Sequence, residues 1–209
     1  AMSRAEILQQ AFTAFATHGY EHVSLRQLAQ ECGISDSLLS HHFGSKQQLW
    51  FEAADSIFAP LYQRLVTTLE SISSDNVANV LRSNLKASLT LLAAEPEAMA
   101  FMFREGGSEH ERASHLRTHY LLPYTQRIYD RAEAAQSLGL MRKITHETTT
   151  AMVLGIMRMI SVPGLYQPEL APHLTSASRI EAFVDEVVTI FYDGLLLPAA
   201  DHSTPLTKK

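Results

Sequence analysis

Apolar residues recur at spacings of three and four along most of the chain, and glycines and prolines gather where that rhythm breaks. The pattern predicts an all-α fold. Ile7, Leu8, Ala11, Phe12 and Phe15 share one helical face, which predicts a helix from Arg4 to His18 with Gly19 just past its end. Ser24 is placed to cap a short second helix carrying Leu25, Leu28, Ala29 and Cys32, after which Gly33 turns the chain. Ser35 and Ser45 are candidate caps for two more helices, one from Asp36 to His42 and one carrying Leu49, Trp50, Ala53, Ile57, Leu61 and Leu65. After the polar break at 71–76, helices are expected over Val77–Ala94 and Pro96–Glu105. A long helix is expected over His110–Leu138, interrupted near Pro123, where an internal hydrogen bond is lost. Two final helices, Glu147–Ser161 and Ser176–Leu196, flank a loop containing Pro163, Gly164, Pro168 and Pro172. A tail over 198–209 is expected to be disordered.

Composition narrows the class. With 46% hydrophobic and 19% charged residues in 209, the chain is too apolar for disorder, and no stretch approaches the roughly 18 apolar residues of a membrane span. No charged-then-apolar leader pattern opens it, so a cytoplasmic protein is expected. A single cysteine, Cys32, cannot form an internal disulfide and excludes a cysteine-based zinc finger. The formal charge of -5 argues weakly against nucleic acid as a partner.

Local chemistry argues the other way. Two short helices joined by a tight turn, with the small Ala29 at their crossing and Gly33 four residues on, form a helix-turn-helix pattern. Leu28, Cys32, Ile34 and Leu39 occupy the positions that such a pair must bury. Ile7-Leu8, Ala11, Phe15, Gly19-Tyr20, Val23-Ser24-Leu25, Leu28-Ala29, Cys32-Gly33-Ile34-Ser35, Leu39, His42-Phe43, Lys46 and Leu49 together closely resemble the DNA-binding domain of the tetracycline-repressor (TetR) family. Ser40 and His41 stand where that family commonly has aromatic residues. The resemblance implies a DNA-binding domain over residues 1–50, followed over 51–197 by a helical domain for effector binding and dimerisation.

In a helix-turn-helix the leading turn of the second helix meets base edges while neighbouring helix ends grip phosphates. Ser35, Asp36, Ser37 and Leu38 fall in that leading turn: serine reads several bases, Asp36 accepts from cytosine or caps, and Leu38 suits a thymine methyl. Ser35 is equally well explained as the cap alone. Ser24 and Ser45 lie at helix N-termini where phosphate is favoured, with Arg26, His41, His42 and Lys46 as donors. His42, beside the core residue Phe43, has packing as its alternative role.

The apolar run Met99–Phe103 resembles the family's central helix, which links the DNA-binding part to the ligand cavity. Met99, Met102, Phe103, Arg104, Leu116, His119, Tyr120, Tyr124, Met152 and Met159 are the expected cavity lining, with ordinary core packing as the alternative for each. Arg104 and Arg158 suit an anionic ligand group or an ion pair. His115 and His119 lie one helical turn apart without a third ligand at a telling spacing, so no metal and no cofactor is expected. No phosphate loop, zinc-protease or serine-hydrolase motif is present, which leaves an enzyme reading unsupported. The final helix carries more apolar surface than one core face needs. By resemblance Gly155, Ile156, Phe183, Val184, Val187 and Phe191 are expected to join a symmetry mate in a four-helix bundle across a two-fold axis.

These readings converge on a homodimeric, sequence-specific transcriptional regulator, a repressor released from double-stranded operator DNA by a small, largely apolar effector. The alternative is a DNA-binding regulator controlled by a protein partner or a metal, with the C-terminal domain only a dimerisation scaffold. Residues 1–50 hold three Lys or Arg against four Asp or Glu, so few phosphate charges are neutralised by each subunit. The logarithmic dependence of DNA affinity on salt should therefore be shallow in a titration; a slope of about ten, as for a repressor with many phosphate contacts, would contradict this.

Overall fold

The computed structural model describes residues 2–73, 76–161 and 176–195. The expected loop with Pro163, Gly164, Pro168 and Pro172 and the expected tail from 198 lie outside them. The described residues form ten α-helices and one π-helical turn, α1 Arg4–His18, α2 Leu25–Glu31, α3 Asp36–Phe43, α4 Lys46–Ser71, α5 Val77–Ala93, α6 Pro96–Glu105, α7 Glu111–Leu116, the turn Arg117–Leu121, α8 Leu122–Ser137, α9 His146–Ser161 and α10 Ala177–Leu195. The long helix expected over 110–138 is the one that divides. Pro123 has no N–H to offer His119, four residues back, and its ring crowds that carbonyl. The chain widens into the π turn first, and α8 then starts with Pro123 in its opening turn.

Two compact units emerge, Ala1–Gln63 with Phe101–Tyr120, and Arg64–Ala100 with Leu121 onward. In the first unit the α1 start is fixed by a capping box: the Ser3 hydroxyl accepts from the Glu6 N–H and the Ser3 N–H donates to the Glu6 carboxylate. Its core is aromatic. Phe101 of α6 has its ring centroid 4.7 Å from Phe12, 5.4 Å from Trp50 and 5.9 Å from Phe58, so one side chain touches both α1 and α4. The helix-turn-helix is therefore packed together with the end of α6 and with α7, rather than closing on residues 1–50 alone.

In the second unit α5 packs against α9 and α10, and α8 against α5 and α9. Val80, Leu81, Leu85, Leu89 and Leu92 form its buried stripe, and Asn84 and Ser88 are buried within the same stripe. Arg82 pairs with Asp193 and Lys86 with Asp185, exposed contacts that contribute little beside the apolar face. No helix among the described residues is long and apolar enough to cross a membrane.

Replacing Phe101 with alanine should lower the unfolding free energy by about 3–5 kcal/mol, measured by urea denaturation. A loss below about 1 kcal/mol would mean that the ring is not the joint its contacts suggest.

Candidate functional site

Leu28 and Ala29 of α2 are buried against the α3 side, and Cys32 closes the helix. Gly33 then adopts φ +68°, a left-handed conformation open to glycine, and Ile34 donates its N–H to the Ala29 carbonyl at 3.0 Å. No atom crowds the Gly33 α-carbon, so the turn requires the backbone freedom and not the space. Helix α3 buries only Leu39 and Phe43, four residues apart. Asp36, Ser37, Leu38, Ser40, His41 and His42 all face outward, Leu38 with 41% of its surface exposed. That exposed apolar leucine on a polar face matches what a thymine methyl would meet.

Three serines start the three helices around this face. Ser24 accepts from the Gln27 N–H at 3.4 Å, Ser35 from the Leu38 N–H at 3.2 Å and Ser45 from the Gln48 N–H at 3.0 Å. Each cap occupies one of the free N–H groups of its helix and leaves others for an anion. Ser35 also lies 3.0 Å from the Ser37 hydroxyl, which ties the cap to a side chain of the leading turn. Lys46 does not reach outward. Its ammonium donates to the Glu21 carbonyl at 3.3 Å and lies 4.7 Å from the centre of the Tyr20 ring. Arg26 is exposed on α2.

Tyr20 is also gripped from α7, where the Arg112 guanidinium sits 3.6 Å from the ring centre. Arg104, expected in the cavity lining, does something else. It donates to the Phe15 carbonyl at 3.0 Å and the Ala16 carbonyl at 2.6 Å, satisfying carbonyls at the C-terminal end of α1. A cation at a helix C-terminus is also favoured by the helix dipole, so α6 holds α1 by charge as well as by Phe101.

A cavity of about 30 Å³ lies within the second unit, between α5, α8, α9 and α10. Its wall is mostly apolar, including Leu81, Leu85, Ile128, Val153 and Phe191. Six side chains break that wall: Asn84 and Ser88 from α5, Tyr124 and Arg131 from α8, Thr149 from α9, whose hydroxyl donates to the Thr145 carbonyl, and Tyr192 from α10. Both polar atoms of the Asn84 amide, the Ser88 and Tyr124 hydroxyls and Arg131 Nη1 are buried without a hydrogen-bond partner. Arg131 Nη2 is anchored, donating to the Leu69 carbonyl near the end of α4 at 2.8 Å. Burial pushes the Tyr124 phenol up to about 12; the nearby Ser88 hydroxyl acts against that rise, although the two do not meet in hydrogen-bond geometry. The phenol therefore remains a donor at any ordinary pH.

Of the expected lining, Tyr124 alone borders this cavity. Met99, Met102 and Leu116 are buried, Phe103 is half-buried on α6, and Met152 and Met159 lie on α9 with Met152 40% exposed. His119 is exposed, and its ring lies tilted against His115 with centroids 4.3 Å apart. Asp55 accepts from His115 at 2.7 Å and from Tyr120 at 2.5 Å, tying α4 to α7 and to the π turn. Among the described residues no group of three or more His, Cys, Asp or Glu is placed to hold a metal. On α10, Val184 and Phe191 turn inward, Val184 fully buried and Phe191 at the cavity wall. Phe183 and Val187 are half-buried on the other side, next to Ile190 with 66% of its surface exposed. On α9 Gly155 is exposed and Ile156 half-buried.

Residues 7–53 match the family described as bacterial regulatory proteins, tetR family. Over 84 residues the chain is 34% identical to the HTH-type transcriptional repressor AcnR of Corynebacterium efficiens, a stretch covering 40% of this chain and 41% of that one. A shorter stretch of 74 residues is 35% identical to the HTH-type transcriptional repressor KstR2 of Mycolicibacterium smegmatis, covering 35% of this chain and 36% of that one. The chain thus spans well under half the length of these curated relatives. The likeness of fold runs further. AibR, solved in complex with isovaleryl coenzyme A and operator DNA, superposes with a TM-score of 0.69 at 19% identity over 90% of this chain and 97% of its own.

Leaving five buried polar atoms unpartnered is costly, and an apolar side chain of similar shape removes the cost at one of them. Asn84→Leu should raise the unfolding free energy of the ligand-free protein by about 1–3 kcal/mol in urea denaturation. A decrease would mean that the amide is already satisfied in the wall.

Proposed function

The chain belongs to the tetR family of bacterial regulatory proteins, and from that premise we propose a homodimeric, sequence-specific transcriptional repressor that leaves its operator when a small molecule occupies the α5–α8 cavity. The observation that carries the DNA-binding part is α3, a helix held at its inner side by Leu39 and Phe43 alone and presenting Asp36, Ser37, Leu38, Ser40, His41 and His42 to solvent. Arg26, His41 and Lys46, with the N-termini capped by Ser24 and Ser45, supply phosphate contacts around it. The Lys46 ammonium spends one N–H on the Glu21 carbonyl and rests over the Tyr20 ring, which leaves further N–H groups for a phosphate.

The effector part rests on the cavity. A body serving only as a dimerisation scaffold leaves the unpartnered Asn84, Ser88 and Tyr124 without a purpose, whereas a ligand satisfies them. AibR, with isovaleryl coenzyme A and operator DNA in one complex, is an instance of this fold holding both kinds of partner. Helices α4 and α6 each contribute one end to the cavity unit and the other to the DNA-binding unit. Arg131 holds the end of α4 through Leu69, and Arg104 holds α1 from the end of α6. A ligand that parts the cavity walls acts on the end of α4, which lends Leu69 to the wall, and it releases DNA only to the extent that it binds the released state more tightly. Dimerisation uses the outward stripe of α9 and α10, where Gly155, Ile156, Phe183, Val187 and Ile190 lie at half-buried or exposed positions.

Selection from a random duplex pool should enrich a two-fold symmetric site whose half-sites are separated by about 10 base pairs or a multiple. Within that site Leu38→Ala should relax the preference at one base pair by about 1–3 kcal/mol, while Lys46→Ala weakens all duplexes alike. No enrichment by the folded protein would defeat the reading. Ile190→Lys should give folded monomers by light scattering that no longer bind the selected site; an unchanged dimer would remove α10 from the interface.

A further inference from the structure

The cavity specifies more than an apolar occupant, and the inference that follows rests on the reading of that cavity as the effector site. Among the described residues at its wall Arg131 is the one charged side chain, and none of them is Asp or Glu. Burial pulls Arg131 below its ordinary range, with Glu70 acting the other way, and Glu70 sits within 3.7 Å of Arg127. A guanidinium stays charged under these conditions. Its Nη2 is fixed on the Leu69 carbonyl, so the group cannot swing out to solvent without breaking that bond, and its Nη1 is left buried with no acceptor. The other unpartnered groups are of matching kind. Tyr124 and Ser88 offer hydroxyl donors, and the Asn84 amide offers two N–H donors and one acceptor. All three residues are more than nine-tenths buried.

One cation with three neutral donors calls for a single anionic acceptor group. A dianion would leave one charge uncompensated, a cation would face Arg131, and a neutral amide would leave the guanidinium unbalanced. Size narrows the choice. At about 30 Å³ the closed cavity holds little more than water. A dry protein cavity of about 150 Å³ accepts benzene, so a modest outward shift of the walls admits a body of that size. We propose that the cavity binds a compact monocarboxylic acid with an apolar body of roughly four to seven carbons, its carboxylate on Arg131 Nη1 with Asn84, Ser88 and Tyr124 as further partners. The apolar body lies against Leu81, Leu85, Val153 and Phe191. Because the closed cavity is smaller than such an acid, binding selects a state with the walls apart, which is the differential that release of DNA requires.

Calorimetric titration of the full-chain protein with benzoate and hexanoate, and with benzamide and hexanamide as uncharged counterparts, tests this. The acids should bind, the amides about ten- to hundredfold more weakly, and Arg131→Gln should cost the acids a similar factor. If Arg131→Gln does not fold, the comparison of acid with amide in the unaltered protein still decides. Equal binding of acid and amide overturns the carboxylate while leaving the cavity as a neutral-effector site. No binding of either acid at millimolar concentration, or decanoate binding more tightly than hexanoate, overturns the proposal. Acids that bind through Arg131 but leave affinity for the selected operator unchanged support the site and defeat the regulatory reading.

Discussion

The helix-turn-helix of this protein is held in place by side chains that lie outside it. Helices α1 to α3 bury Phe12, Phe15, Leu28, Leu39 and Phe43, and Phe101 of α6 supplies the ring that sits among Phe12, Trp50 and Phe58. A few residues on, Arg104 closes the open carbonyls of α1, and Arg112 of α7 covers Tyr20 in the loop that follows. Rings at such distances add to the apolar area they bury, and a cation on helix-end carbonyls adds to both. The angle at which α3 is presented therefore depends on where α6 and α7 lie. A helix-turn-helix held in this way is open to displacement by anything that moves those helices.

Polar groups are treated in opposite ways around α3 and at the cavity. Around α3 the serine hydroxyls cap helices, and Lys46, Arg104 and the Asp55 carboxylate have defined partners. At the cavity Asn84, Ser88 and Tyr124 have none. Buried polar groups in native proteins are normally paired, and the cost of leaving several unpaired in one place is a kilocalorie or more for each. Such a cluster is retained where a ligand completes it. The stability lost in the free protein becomes part of the affinity for the occupant.

Much of this was legible in the chain. The helical rhythm with its serine caps, and the Ala29 and Gly33 pair, gave the helix-turn-helix because these features depend on neighbours a few residues away. Arg104 is legible as a ligand contact or as a partner of Glu105, and the ion pair forms at 3.2 Å, but nothing local reveals its bonds to carbonyls almost ninety positions earlier. On α10 periodicity cannot divide an apolar helix surface into its own core and a partner's, and Val184 and Phe191 are buried within the chain itself. Asn84 and Ser88 did leave a signal: they occupy two positions of the α5 stripe otherwise filled by Val80, Leu81, Leu85, Leu89 and Leu92. Two polar residues one turn apart on an apolar face mark either a buried network or a ligand, and the choice needed the three-dimensional neighbours.

In the proposed mechanism, occupancy of the cavity governs the grip on DNA. It is tested without any ligand by Ser88→Phe, which places an apolar ring inside the cavity and alters nothing on α1 to α3. Affinity for a selected operator, measured by fluorescence anisotropy on the folded dimer, should fall by about tenfold or more, within the usual range of coupling between two sites. Unchanged affinity in a folded dimer whose cavity is filled would contradict the account.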